Sequence, residues 1–115
     1  MLRVYYSEVM KLNEMKYEML EVVDDGNLSQ LDVFVLKIED WQFEPFFKKG
    51  DFLLFTRQND IEIGQLGVYL KGDRFFIKQK GNGILRSLNV NIPDEPLTAD
   101  WECIGKFYGK AQLPQ

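Results

Sequence analysis

The chain has no histidine and a single cysteine, Cys103, among its 115 residues. One thiol cannot close an internal disulfide, and one thiol without imidazole cannot complete a zinc site. The missing imidazole also removes Ser-His-Asp and Cys-His catalysis, the two-histidine metalloprotease helix and the two-histidine iron sites. Long apolar runs are lacking too. The longest, Val33-Phe34-Val35-Leu36 and Phe52-Leu53-Leu54-Phe55, fall far short of the ~20 residues that a membrane helix needs. The N-terminus has no secretory-type apolar stretch. No metal, cofactor or membrane attachment is therefore expected, and a reducing, cytoplasmic setting is the expected location.

Positive charge is scarce, with 14 Lys+Arg against 18 Asp+Glu and a net −4. Unaided binding to DNA is not expected, because phosphate contacts need a clustered positive excess. What the chain has in quantity is aromatic bulk: nine Phe, five Tyr and two Trp, within 45% hydrophobic residues. That is enough to bury a core, so global disorder is excluded, and the length suits one domain.

Turn residues punctuate the sequence from residue 31 onward. Val33–Ile38, Phe52–Thr56, Val68–Leu70, Phe75–Lys80, Ile84–Leu88 and Trp101–Gly109 read as six strands rich in β-formers. Lys71-Gly72-Asp73-Arg74 reads as a tight hairpin and Gly81-Asn82-Gly83 as a second turn. Pro93 and Pro96 bracket a stretch that cannot be a central strand. The expected fold is mainly β, a small curled antiparallel sheet or barrel spanning 32–115. Residues 1–31 are expected to form an N-terminal appendage. In it Leu2–Tyr6 reads as extended, and the apolar spacing of Val9, Leu12, Met15, Met19, Val22 and Val23 predicts a helix within Tyr5–Val23. Asp24-Asp25-Gly26-Asn27 reads as a turn.

Five pieces stand in order: Asp40-Trp41-Gln42-Phe43-Glu44-Pro45; Gly50-Asp51 with Phe52–Phe55; Gly64 and the hairpin up to Ile77-Lys78; Leu85-Arg86-Ser87-Leu88-Asn89; and Ile104-Gly105-Lys106-Phe107. In this order they resemble the C-terminal, self-cleaving peptidase domain of LexA and phage repressors, which shares its fold with signal peptidases. The family's nucleophile motif, Gly-Asp-Ser-Met-x-Pro followed by Gly-Asp and an apolar strand, is matched by Asp40-Trp41-Gln42-Phe43-Glu44-Pro45, then Gly50-Asp51 and Phe52–Phe55. Gly64 and the hairpin lead to Ile77-Lys78, where the family carries its catalytic lysine. Leu85-Arg86-Ser87-Leu88-Asn89 fits a Leu-x-Ser-x-Asn stretch, and Ile104-Gly105-Lys106-Phe107 fits the closing strand. The resemblance implies a dyad in which a desolvated lysine takes the proton of a serine hydroxyl. It puts Lys78 at the base position and Gln42 at the nucleophile position, and an amide offers no nucleophilic hydroxyl. The family's Ala-Gly or Cys-Gly cleavage site is missing as well, since the first alanine is Ala99.

The expectation is a catalytically inactive relative, with the degenerate positions Gln42 and Lys78, that serves as a dimerisation or regulatory module of a transcriptional repressor. A homodimer or another protein partner is expected, with some of Phe46, Phe47, Phe52, Phe55, Phe75 and Phe76 forming an interface. The 31 residues ahead of the fold are fewer than the ~50 of a helix-turn-helix domain, so the chain is read either as one piece of a longer regulator or as a stand-alone module. Two alternatives remain at this point: an active Ser-Lys peptidase using Ser7, Ser29 or Ser87, and an unrelated small β-barrel that binds a ligand. Plainer readings also stand. Lys78 could belong with Lys71, Arg74, Lys80 and Arg86 to a solvated basic face, Gln42 could be a loop amide, Trp41 a core or interface anchor, and Cys103 a buried small hydrophobe.

Overall fold

The computed structural model describes residues 2–6, 18–20, 32–39, 41–72 and 74–111. Among the described residues nine strands form one sheet: β1 (Leu2–Tyr6), β2 (Glu18–Leu20), β3 (Val33–Lys37), β4 (Phe52–Arg57), β5 (Leu66–Lys71), β6 (Arg74–Lys80), β7 (Ile84–Ser87), β8 (Glu95–Pro96) and β9 (Trp101–Lys110). Their order across the sheet is β2-β1-β3-β4-β9-β5-β6-β7-β8. The fold is mainly β, as expected, and its two ends do not meet, so the curled sheet is not a closed barrel.

The extended reading of Leu2–Tyr6 holds, and the helix reading fails where it can be judged. β1 pairs in parallel with β3, Val4 opposite Val35, and β2 pairs antiparallel with β1, Leu2 opposite Leu20. Tyr5, Tyr6 and Glu18–Leu20 are thus sheet residues, although their apolar spacing also fits a helical face. The remainder of the expected helix, the turn at residues 24–27, Ser7, Ser29, Asp40 and Asp73 lie outside the described residues.

The six strands read from the sequence form because two-residue alternation sends side chains to both sheet faces. Phe34 and Leu36 on β3, Leu53 and Phe55 on β4, Val68 on β5 and Phe75 and Ile77 on β6 join one buried cluster. Phe43 and Phe47, from the turn segment between β3 and β4, join the same cluster. On the opposite face Val33, Val35 and Leu54 form a second cluster, and Ile61, Tyr69, Leu85, Trp101 and Cys103 a third. Of the six phenylalanines expected to exceed the core's needs, Phe47, Phe55 and Phe75 are buried, Phe52 and Phe76 half-buried, and Phe46 exposed.

β9 is the hinge of the architecture. Its first half pairs with β5 and its second half with β4, and the register slips once on each side, at Val68/Tyr69 and at Leu54/Phe55. Such bulges increase local twist and bend the sheet. The bend brings Gly67 so close to Gly105 that a Cβ at Gly67 would sit 2.7 Å from the Gly105 carbonyl oxygen, so only glycine fits there.

Candidate functional site

Positions 42, 78 and 87 each adjoin a residue of the main cluster: Phe43, Ile77 and Leu88. Gln42 lies half-buried in the turn segment 41–47 between β3 and β4. That segment is held by hydrogen bonds from the Glu44 amide to the Trp41 carbonyl and from the Phe47 amide to the Phe43 carbonyl, at 3.1 and 3.0 Å. Its two anchors point inward, while Trp41 and Phe46 remain 62% and 59% exposed. Trp41 is therefore not a core residue of the described fold.

Lys78 sits on β6, on the sheet face opposite Ile77, and is only 5% exposed. This corrects the solvated-face reading for this residue. The aromatic rings of Phe76 and Trp101 lie 5.5 and 6.0 Å from its amine. Counting outward from the Gly81–Gly83 turn, the third rung of the β6–β7 hairpin sets Lys78 opposite Ser87. There Lys78 Nζ donates to Ser87 Oγ at 2.8 Å, its one hydrogen-bond partner among the described residues. The amine is therefore not orphaned. The structure brings Lys78 and Ser87 together; Gln42 adjoins Phe43, whose cluster includes Ile77 and so lies on the sheet face opposite Lys78.

The Leu-x-Ser-x-Asn stretch now has a structural meaning. Leu85 is fully buried and roots β7 in the core. Asn89, 7% exposed, accepts from the Asn91 amide through its side chain at 2.9 Å and from the Ile92 amide through its carbonyl at 3.0 Å. This is a side-chain-stabilised turn of the kind asparagine favours. The turn carries the chain back over Ser87: Ser87 Oγ donates to the Pro93 carbonyl at 2.8 Å, and the Ser87 amide donates to Asp94 Oδ1 at 2.8 Å.

Desolvation holds the Lys78 amine below the ordinary lysine range, and the positive charge of Lys71 adds to this. The carboxylates of Glu95 and Asp94 act the other way. Both have other cations nearby: Lys71 lies 3.9 Å from Glu95 and Arg86 lies 4.0 Å from Asp94. A lysine whose folded-state pKa is depressed destabilises the fold while charged. That penalty is relieved as pH rises from the lowered value toward the free-lysine value near ~10.4. The wild-type chain is thus expected to gain stability toward urea, relative to Lys78→Met, as pH is raised across that window. Urea midpoints of both proteins at pH 7 and 10 check this, since the other titrating groups cancel in the comparison. Parallel midpoints would show that Lys78 carries no such penalty.

Other candidate nucleophiles near this face are inert. Burial pushes up the Cys103 thiol and the Tyr69 hydroxyl, so both stay protonated at neutral pH. Cys103 is the buried small residue that the sequence suggests. Elsewhere on the surface Lys80 meets Asp60 at 2.7 Å, and that hydrogen bond holds the Asp60 carboxyl below its usual range. No group of metal-ligating side chains occurs among the described residues, and no helix of theirs is long and apolar enough to cross a membrane.

The signal that sequence reasoning underused was the hairpin register. Counting rungs from the Gly81–Gly83 turn separates Ser87 from Ser7 and Ser29, because it sets Ser87 opposite Lys78. No curated protein matches the chain. A family model described as Peptidase S24-like matches residues 7–108, which takes in β2 through most of β9 and all three candidate positions. With that much of its length matched, the chain belongs to the S24-like peptidase family, the LexA and phage-repressor type.

Proposed function

We propose that this S24-like domain does not cut peptide bonds and acts instead as a binding and dimerisation module of a transcriptional repressor, with Gln42 standing where the family's serine attacks. An amide side chain can donate and accept hydrogen bonds but cannot form an acyl intermediate. The observation that carries the reading is the fate of the Ser87 hydroxyl beside the lysine. Ser87 Oγ has a single proton, and the Pro93 carbonyl can only accept, so that proton points away from Lys78.

A second reading, in which Ser87 is the nucleophile, draws support from its 2.8 Å contact with Lys78. Two features weigh against it. The hydroxyl receives from the amine rather than donating to it. The Ser87 amide, which would be a natural donor to a developing oxyanion, already serves the Asp94 carboxylate.

The exposed Trp41 and Phe46 side chains support a role in association, because aromatic residues are enriched where protein surfaces meet. The partner favoured is a second copy of the chain, and the acidic net charge favours protein over DNA.

An alkyl fluorophosphonate, which esterifies base-activated serine hydroxyls with loss of fluoride, separates the two readings. The wild-type chain is expected to stay unlabelled and to remain intact at pH ~10, where a family lysine is neutral. Intact-mass spectra showing an adduct on Ser87, or fragments that vanish in Lys78→Ala, would establish an enzyme. Light scattering coupled to size exclusion reads the association state, with a dimer expected and a monomer for the Trp41→Ser/Phe46→Ser double variant.

A further inference from the structure

We propose that Asn82, at the tip of the β6–β7 hairpin, is a site of spontaneous modification, where the Gly83 amide nitrogen displaces ammonia from the Asn82 side chain and a carboxylate results. The chemistry is independent of whether the domain cuts peptides. Backbone pairing closes the hairpin at Lys80 opposite Leu85, and the Gly81 amide donates to the Ile84 carbonyl at 2.8 Å. Asn82 and Gly83 are left as the two loop residues, and both are exposed. Gly83 takes φ +69°, and a Cβ built there would meet nothing within 4 Å. Among the described residues no hydrogen bond engages the Asn82 side chain or the Gly83 amide. Electrophile and nucleophile are thus adjacent, uncommitted and open to water.

Loss of its proton makes the Gly83 nitrogen a nucleophile. It bonds to Asn82 Cγ and closes a five-membered imide, the Cγ–Nδ2 bond breaks, and ammonia leaves. Water then opens the imide in one of two ways. Breaking the bond from the Gly83 nitrogen to Cγ leaves aspartate. Breaking its bond to the main-chain carbonyl carbon leaves isoaspartate, with one more carbon in the backbone. One water is consumed and one ammonia released, and no oxidant or cofactor is needed. Glycine at position 83 favours the ring closure, because no side chain crowds the attacking nitrogen. The other asparagines among the described residues have bulkier successors: Asn59 precedes Asp60, Asn89 precedes Val90 and Asn91 precedes Ile92. Asn89 is also buried and commits its side-chain oxygen to the Asn91 amide at 2.9 Å.

The product adds one negative charge to a chain already at net −4. A cation is at hand, since Arg86 Nε lies 3.4 Å from where a Cβ on Gly81 would stand. Arg86 is held loosely by Asp94, at 4.0 Å, so the new carboxylate competes for its guanidinium. Isoaspartate does more. An extra main-chain atom in a two-residue loop strains the Gly81–Ile84 bond and shifts Gly83, whose carbonyl accepts from the Leu97 amide at 3.1 Å.

The test compares the folded chain with the same chain unfolded in guanidinium, both aged at mildly alkaline pH. Trypsin releases residue 82 in the peptide Gly81–Arg86, which holds no other asparagine. That peptide is expected to gain about 1 Da and to split into two chromatographic peaks. The isoaspartyl peak alone accepts a methyl group from S-adenosylmethionine through a protein-isoaspartate methyltransferase. Because a loop tip of this kind opens at a cost near ~0 kcal/mol, the folded rate is expected within about threefold of the unfolded one. Asn82→Gln, which would need a six-membered ring, is expected to lose the product. A folded peptide that stays intact while the unfolded one converts would show that the turn protects Asn82, and would overturn the proposal. So would conversion of Asn59, Asn89 or Asn91 in the folded chain as fast as that of Asn82. In the isoaspartyl form, isolated by ion exchange, amide exchange at Gly81 and Leu97 is expected to speed up. Unchanged exchange at both would overturn the loosening of the turn.

Discussion

Gln42→Ser is expected to convert an unreactive chain into one that a fluorophosphonate labels at residue 42. The reasoning starts from what is retained rather than what is lost. Lys78 is buried, its amine is held below the usual lysine range by desolvation, and its hydrogen bond to Ser87 leaves the lone pair uncommitted. These are the conditions under which a lysine can act as a general base toward a hydroxyl. In the proposed register, position 42 is where the hydroxyl served by this amine would stand. A serine there would supply the missing hydroxyl. General-base assistance contributes typically ~10²–10⁴-fold, so adding Lys78→Met to Gln42→Ser should slow labelling by about that factor. Equal labelling of the single and double variants would mean that the amine does not serve position 42. No labelling of Gln42→Ser at all would remove the dyad register on which the non-cleaving reading was built.

Phe55→Ala is expected to be the most damaging single truncation for stability, at about 4 kcal/mol. Phe55 is fully buried on β4 between β3 and β9. Its ring stacks on Phe34 at 5.6 Å and meets the edge of Phe107 at 5.8 Å. Phe107 in turn contacts Phe47 at 5.2 Å. Deleting the central ring leaves a cavity whose walls cannot collapse, because the flanking strands are fixed by their backbone ladders. The loss also reaches the candidate site, since Phe47 is one of the two anchors of the turn segment that carries Gln42. Urea unfolding and amide exchange over residues 41–47 measure the two consequences together. Phe46→Ala, on the same segment but exposed, should shift stability by less than ~0.5 kcal/mol. A comparable loss in both variants would show that the segment is not anchored through Phe55.

Much of the sheet was legible in the sequence because its signals are local. Gly72 adopts φ +61° in the β5–β6 hairpin and Gly83 φ +69° in the β6–β7 turn, which are conformations that glycine adopts without strain. The alternation within β3, β4 and β6 then dictated which face each side chain takes. β2 was illegible for the same reason. Glu18–Leu20 is three residues long, lacks flanking Gly or Pro, and falls inside apolar spacing that also suits a helix. Its identity comes from a partner fourteen or more residues away in sequence, which no local pattern records.

The site divides along the same line. The order of motifs singled out Lys78 and Gln42 as candidates without coordinates. The burial of Lys78 is a tertiary result, because it depends on Phe76 and Trp101 closing over a side chain that composition alone assigns to the surface. The route of the Ser87 proton depends on a turn that returns Pro93 to β7, and only the folded chain supplies that carbonyl.

One end of the sheet has a consequence for assembly. β8 contributes just two residues, Glu95 and Pro96, to the rim beyond β7. A prolyl nitrogen carries no hydrogen, and so short a strand gives an incoming chain almost no rungs to zip onto. This rim is thereby guarded against runaway polymerisation, and two molecules that join must do so through side-chain surfaces or at some place other than this border.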